Sequence, residues 1–211
     1  CICVLSHKRV NKSSAEMRKI MKITLKDGSV KEYEKAMSVY EIAQDISEGL
    51  ARMACAGELN GKVVDLRTIV DQDCNLNILT FNDEGGKAAY RHTTSHVLAQ
   101  AVKKLYPNVK LAIGPSIDTG FHYDFDCEPF DRAALDELEK EMKKIIKEGA
   151  ALERFTLPRE EAIQLMKEKE EPYKVELIED LPEGEEISFY RQGDFVDLCA
   201  GPHLMSTKGI K

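Results

Sequence analysis

Four side chains in this sequence stand at spacings that could do chemistry. His92 and His96 bracket the run His-Thr-Thr-Ser-His, and Cys199 and His203 bracket Cys-Ala-Gly-Pro-His. The first pair falls in a stretch, Arg91 to Tyr106, that reads as a helix, where residues four apart stack on one face. The second pair cannot be helical throughout, because Gly201-Pro202 interrupts it. It reads as a tight loop after a strand, with Cys199 and His203 turned to the same side. Imidazole and thiolate are the donors zinc prefers, and three histidines with one cysteine match a tetrahedral centre. The same set also works without a metal. A neutral imidazole can orient or deprotonate a water, and a nearby lysine can stabilise developing negative charge. Spacing alone leaves both chemistries open.

Two kinds of element must hold these pairs. Met21 to Leu25 alternates as a strand, Lys26-Asp27-Gly28-Ser29 signals a hairpin, and Val30 to Tyr33 returns as its partner. Ser38 with Glu41 forms a capping box for a short helix with Val39, Ile42, Ala43 and Ile46 on one face and Gly49 at its end. Met53 to Glu58, a turn at Asn60-Gly61, and Asn75 to Thr80 complete a pattern expected of a β-grasp, ubiquitin-like unit over residues 21–81. No group of titratable residues there is spaced for catalysis, so it reads as a packing or interaction module.

Residues 82–90 are polar and Gly-rich and read as a linker. Residues 91–211 read as an α+β domain, with helices packed on a mainly antiparallel sheet. The His helix carries an apolar stripe of Val97, Leu98, Ala101, Val102 and Leu105. Gly120 to Phe125 alternates as a strand, and Asp131 caps a long helix stopped at Gly149. A third helix begins at Pro158. Tyr173 to Leu177 reads as an extended piece, and Ile187 to Tyr190 and Phe195 to Cys199 read as strands.

A chain of 211 residues suits two domains, and 43% apolar residues suffice for real cores. The net charge of −7 is uneven, with +4 on residues 1–20 and −11 on the rest. An acidic body argues against generic, charge-driven binding to nucleic acid. A local patch of Arg91, Lys103, Lys104 and Lys110 is still available for RNA. Six irregularly placed cysteines without a secretory signal point to reduced thiols in a cytoplasmic protein, and no run is apolar enough to span a membrane. Residues 1–20 begin with Cys1 rather than Met, lack periodicity and read as an unstructured leader.

Three runs resemble the threonyl-tRNA synthetase family: Arg91 to His96, Leu111-Ala112-Ile113-Gly114-Pro115, and Gln192 to His203. Pro172-Tyr173-Lys174 and Gly120 to Asp124 fit the same family, and the β-grasp resembles its TGS domain. The alanyl-tRNA synthetase editing domain shares the two ligand pairs, but the Gly-Pro-His ending and the TGS-like unit favour the threonyl branch. The resemblance implies an editing domain that hydrolyses seryl-tRNA formed in error on threonine tRNA. His92 and Lys174 would assist water attack and stabilise charge. His96, Cys199 and His203 would shape the site and bind the terminal adenosine or the seryl group, with Tyr123, Tyr190 and Asp197 lining the pocket. The threonyl branch implies no metal for editing, whereas the alanyl type would place zinc on His92, His96, Cys199 and His203. ATP and a catalytic zinc belong to a ligase core that lies outside this sequence, so the chain is expected to be a fragment of the synthetase or a free-standing editor. Full-length members are homodimeric by the same resemblance. A module that positions RNA without catalysis is the rival reading. Two departures stand out: Ala200 where the family commonly has Arg, and His122 where Tyr is usual.

Overall fold

The computed structural model describes residues 20–211, so the leader expected over residues 1–20 lies, apart from Ile20, outside the described residues. Strands β1 (Met21–Leu25) and β2 (Val30–Tyr33) form the expected hairpin. Its turn closes locally: Asp27 Oδ1 accepts from Ser29 N at 2.9 Å, and Gly28 takes a φ of +83°. After β3 (Met37–Ser38), helix α1 (Val39–Ile46) starts on the Ser38–Glu41 capping box. Ser47 ends α1 and caps a second short helix, α2 (Glu48–Met53). The stop expected at Gly49 is therefore misplaced. Gly49 lies inside α2, and its N–H is one of two that the Ser47 hydroxyl accepts.

Strands β4 (Ala54–Leu59), β5 (Lys62–Val64), β6 (Ile69–Val70) and β7 (Cys74–Thr80) follow. The main sheet runs β2-β1-β7-β4-β5, with β1 and β7 parallel and the other pairs antiparallel. That mixed sheet with α1 against it is the expected β-grasp, closed over Ile23, Val39, Ile42, Leu66 and Leu76.

The next helix departs from expectation. Helix α3 runs from Glu84 to Leu105, so most of the stretch read as a linker is its first two turns. The glycines there serve close packing rather than flexibility. A Cβ on Gly86 would lie 2.0 Å from the Thr80 carbonyl oxygen, so only glycine lets α3 start flush against the end of β7. Beyond that start, Ala89, Val97, Ala101 and Val102 pack with Cys55, Ala56 and Leu79 of the β-grasp and with Leu138 and Ile145, in one shared core. Leu105, expected in the stripe, is 37% exposed at the helix end.

Strands β8 (Lys110–Leu111), β9 (Ser116–Ile117), β10 (Gly120–Phe121) and β11 (Phe125–Asp126) form two short ribbons. The single strand expected from Gly120 to Phe125 is thus split, with buried Tyr123 between its halves. Helix α4 (Arg132–Glu148) is capped by Asp131 and stopped by Gly149 in the left-handed region. Strand β12 (Leu152–Thr156) leads to helices α5 (Arg159–Glu168) and α6 (Pro172–Asp180). The extended piece expected at Tyr173–Leu177 is therefore helical. Pro172 sits at the first turn of α6, where its fixed φ favours a helix, and Lys174 and Ile178, four apart, are both buried. Strands β13 (Ser188–Gln192) and β14 (Phe195–Leu198) complete an antiparallel sheet in the order β12-β13-β14. Helices α5 and α6 cover it through Ala162, Met166 and Ile178 against Phe189. The second unit is α+β, as expected. Among the described residues, no helix is long and apolar enough to cross a membrane.

Candidate functional site

The two ligand pairs meet. One atom from each of His92, His96, Cys199 and His203 lies within 4.8 Å of the others, though 107 residues separate His92 from Cys199. Helix α3 presents the first pair, with ring centroids 5.3 Å apart and rings perpendicular. The loop after β14 brings the second: Cys199 Sγ lies 3.3 Å from His92 Nε2 and 3.1 Å from His203 Nε2. The His203 ring lies 4.2 Å from that of His92 and 4.3 Å from that of His96.

One hydroxyl fixes the proton pattern. Thr93 Oγ1 donates its single proton to the Ala89 carbonyl at 2.8 Å, so it acts as acceptor towards His203 Nδ1 at 3.1 Å. His203 therefore carries its proton on Nδ1 and turns a bare Nε2 towards Cys199. Burial pushes the Cys199 thiol up to about 12, against a smaller opposing pull from the Gly201 N–H, so it is a protonated donor. Burial also lowers all three imidazoles: His92 below its ordinary value, His96 to about 3, and His203 well below the ordinary range. At neutral pH the cluster is uncharged. His96 Nε2, 3.7 Å from Asp197 Oδ2, is thus a neutral neighbour of that carboxylate rather than an ion-pair partner.

A charged network adjoins the cluster. Lys174 Nζ lies 2.8 Å from Asp197 Oδ1 and donates to Tyr123 Oη at 3.1 Å, and Tyr123 Oη donates to Asp197 Oδ2 at 2.5 Å. Lys174 and Asp197 side chains are only 4% and 2% exposed. Burial is the largest influence on Asp197 and acts against its charge. The adjacent Lys174 charge and the hydrogen bond from Tyr123 outweigh it and hold the carboxyl below its ordinary range. Asp197 Oδ1 has the ammonium beside it but no aligned hydrogen-bond donor. The tyrosine is seated by a glycine. A Cβ on Gly114 would lie 2.1 Å from Tyr123 Cδ2. Ser95 Oγ, bonded to the His92 and Gly114 carbonyls at 2.8 Å each, ties that loop to α3.

Tyr190 is buried behind the cluster, its ring edge-on to His203 at 4.4 Å and its hydroxyl bonded to Asp65 at 2.8 Å. Asp65 comes from the β-grasp, and nothing in its local sequence marks it. His122 and Ala200, the two departures, are both exposed. The basic patch does not form as a free cluster. Lys103 pairs with Glu171 at 2.7 Å, Lys104 with Glu141 at 3.6 Å, and Lys110 with Glu170 at 3.4 Å. Arg91 is spent on the Ile117 and Asp118 carbonyls. Acidic residues distant in sequence neutralise what the local sequence leaves positive.

The donor set can hold a metal ion. Zinc bonds of about 2.0–2.3 Å put tetrahedral donors roughly 3.3–3.8 Å apart. The two Cys199 separations lie near that range, and the bare His203 Nε2 with its Nδ1–H on Thr93 is the orientation a ligating imidazole adopts.

Comparison with known proteins agrees with the geometry. Residues 21–80 match the TGS domain, and residues 187–211 match the Threonyl and Alanyl tRNA synthetase second additional domain. A "Threonine--tRNA ligase" of Acetivibrio thermocellus is 67% identical over 193 residues, which is 91% of this chain and 30% of the relative. Proteins of the same name from Clostridium perfringens and Caldanaerobacter subterraneus subsp. tengcongensis are 66% and 63% identical over similar spans. The chain spans about 30% of the length of these curated relatives. Sharing 67% of its residues with such a ligase along 91% of its own length, the chain belongs to the threonyl-tRNA synthetase family, of which it carries the TGS and second additional domains.

Proposed function

We propose that the cluster is an editing site that hydrolyses seryl-tRNA formed in error on threonine tRNA. The supporting observation is the meeting of His92, His96, Cys199 and His203 beside the buried Lys174–Asp197 pair. The need is energetic: a missing methyl is worth only about 1–3 kcal/mol in a pocket, so a site built for threonine cannot by itself reject serine.

In this reading His92, kept neutral by burial, takes a proton from a water as the water oxygen attacks the ester carbonyl carbon. An ammonium has three donors. Lys174 directs one at Tyr123 and one side at Asp197, and another faces the oxyanion as it forms. The ester C–O bond then breaks. The ribose oxygen leaves with the proton held by His92, and free serine and uncharged tRNA result. Asp197 lines the pocket and holds the Lys174 ammonium, 2.8 Å from its Oδ1, in place. His96, Cys199, His203 and Tyr123 shape the pocket, and Tyr190 backs it. A cytoplasmic setting, tRNA as partner and a homodimeric full-length form go with this reading.

The test is deacylation of seryl-tRNA against threonyl-tRNA by this chain. Preferential cleavage of the seryl ester, lost in His92→Ala, is expected. Equal or absent cleavage rejects the proposal, and binding of tRNA without turnover would mark an RNA-positioning module instead.

The donor set favours a second reading, a zinc-dependent editor with His92, His96, Cys199 and His203 as ligands. When bound, zinc would supply a polarised, more acidic water. The residues' own part would be to hold the ion, with Thr93 orienting His203. Elemental analysis separates the readings: about one zinc per chain, lost in Cys199→Ser, supports the second.

A further inference from the structure

We propose that Asp65, a residue of the β-grasp, is a positioning residue for the editing site, acting through Tyr190 and the backbone of His203. The inference rests on the proposed function of that site. Asp65 lies between β5 and β6, and its Oδ2 accepts two bonds from the second unit: Tyr190 Oη at 2.8 Å and His203 N at 3.1 Å. Those partners are 125 and 138 residues away in sequence. Its Oδ1 receives Arg67 N at 2.8 Å and Arg67 Nη1 at 2.9 Å. The Arg67 guanidinium continues outward, donating to the Leu152 carbonyl from Nε at 3.1 Å and to the Leu204 carbonyl from Nη2 at 3.0 Å. One carboxylate and one guanidinium thus bind the start of β12, the middle of β13 and the residues after the Cys199 loop.

Tyr190 has no room to relax if this clamp is released. On one side a Cβ at Gly201 would lie 2.3 Å from its hydroxyl oxygen, so the loop backbone is already pressed against it. On another its ring meets His203 edge-on at 4.4 Å. A shift of the hydroxyl therefore moves Gly201 and His203, which lie within and at the end of the turn that begins at Cys199. The Asp65 bond to His203 N holds the same turn from its far end. Groups that set the position of reacting side chains matter to rate because displacements near 1 Å cost much of the advantage of alignment.

A residue that merely stabilised the fold would lower the melting temperature and leave the rate per folded molecule unchanged. The experiment uses the full chain and single-turnover deacylation of seryl-tRNA, below the melting point of every variant. Asp65→Ala and Tyr190→Phe are each expected to lower the rate constant about 10-fold or more, with half-saturation unchanged within about 2-fold. The double variant should lose no more than Asp65→Ala alone, because the bond that Tyr190→Phe removes is already absent there. Asp65→Asn keeps one acceptor oxygen for Tyr190 Oη and His203 N but turns an NH2 donor on Arg67, so it should recover only part of the rate lost in Asp65→Ala. Unchanged rates per folded molecule, or multiplicative losses in the double variant, overturn the proposal. A second readout does not depend on turnover. Imidazole nitrogen resonances of His203 should move in Asp65→Ala, while those of exposed His122 stay in place; an unmoved His203 also overturns it. If the unsubstituted chain cleaves no seryl-tRNA, the functional reading fails and the resonances still decide the positioning role. Should Asp65→Ala not fold, Tyr190→Phe, which leaves the Asp65–Arg67 pair intact, carries both readouts.

Discussion

Replacing Lys174 with methionine should cost this fold less in acid than at neutral pH. The side chain keeps its length and loses its charge, which leaves Asp197 buried with the Tyr123 hydroxyl but without the ammonium 2.8 Å away. Breaking a buried pair by removing one partner costs about 3–5 kcal/mol if the survivor stays charged. The alternative is for Asp197 to take a proton, and from an ordinary carboxyl at pH 7 that costs about 4 kcal/mol. The two routes are comparable at neutral pH, so a loss of about 3–4 kcal/mol is expected there. They diverge on acidification. Each pH unit makes protonation cheaper by about 1.4 kcal/mol, so the penalty should shrink to roughly 1.5 kcal/mol at pH 5.

In the unsubstituted chain the carboxyl is held below its ordinary range, so its contribution is intact at both pH values and is lost only below about pH 4. Urea denaturation followed by circular dichroism at pH 7 and pH 5 measures the difference between the two chains. A penalty as large at pH 5 as at pH 7 would refute the reasoning. So would a Lys174→Met, Asp197→Asn double variant no more stable at pH 7 than Lys174→Met alone.

Gly114→Ala should destabilise by about 1–3 kcal/mol from overpacking against Tyr123, and the cost should nearly vanish when Tyr123 is also reduced to alanine; equal costs in both backgrounds would rule out this clash. His96 and His203 are uncharged in the fold but titrate near 6.5 when unfolded. Stability should therefore be flat above about pH 7 and fall below pH 6 by up to about 1.4 kcal/mol per unit for each, and chemical denaturation across that window would show half that slope if one were protonated in the folded state and none if both were. Arg159 donates to the Ile178, Leu181 and Pro182 carbonyls at the end of α6, so Arg159→Ala should cost about 1.5–3 kcal/mol, read as a lower denaturation midpoint; an unchanged midpoint would remove the guanidinium from the account.

Local chemistry was legible wherever it was local. The Ser38–Glu41 box, the stop at Gly149 and the stacking of His92 on His96 each follow from residues a few places apart. The meeting of the two ligand pairs was open from spacing alone, and the resemblance of the runs around them to one family made it the expectation. Three features were hidden for definite reasons. Tyr173 to Leu177 alternates like a strand, yet Pro172 and the burial of Lys174 with Ile178 make it a helix. Gly85 and Gly86 look like a flexible joint, and only the Thr80 carbonyl pressed against Gly86 reveals why glycine stands there. Asp65 belongs to a unit without catalytic spacing, and its value to the site exists only across more than a hundred residues.

The continuous core beneath β7 and α3 bears on the order in which a ribosome releases this chain. Synthesis runs from the first residue onward, and units that emerge early fold early. The β-grasp can close while later residues are still unmade, leaving Cys55, Ala56 and Leu79 as a greasy landing strip for α3. Asp65 and Arg67 are then ready before Tyr190, His203 or Leu204 has been translated. The emerging polypeptide carries a half-built socket until Tyr190, Cys199 and His203 have left the ribosome, and only then can the pocket close.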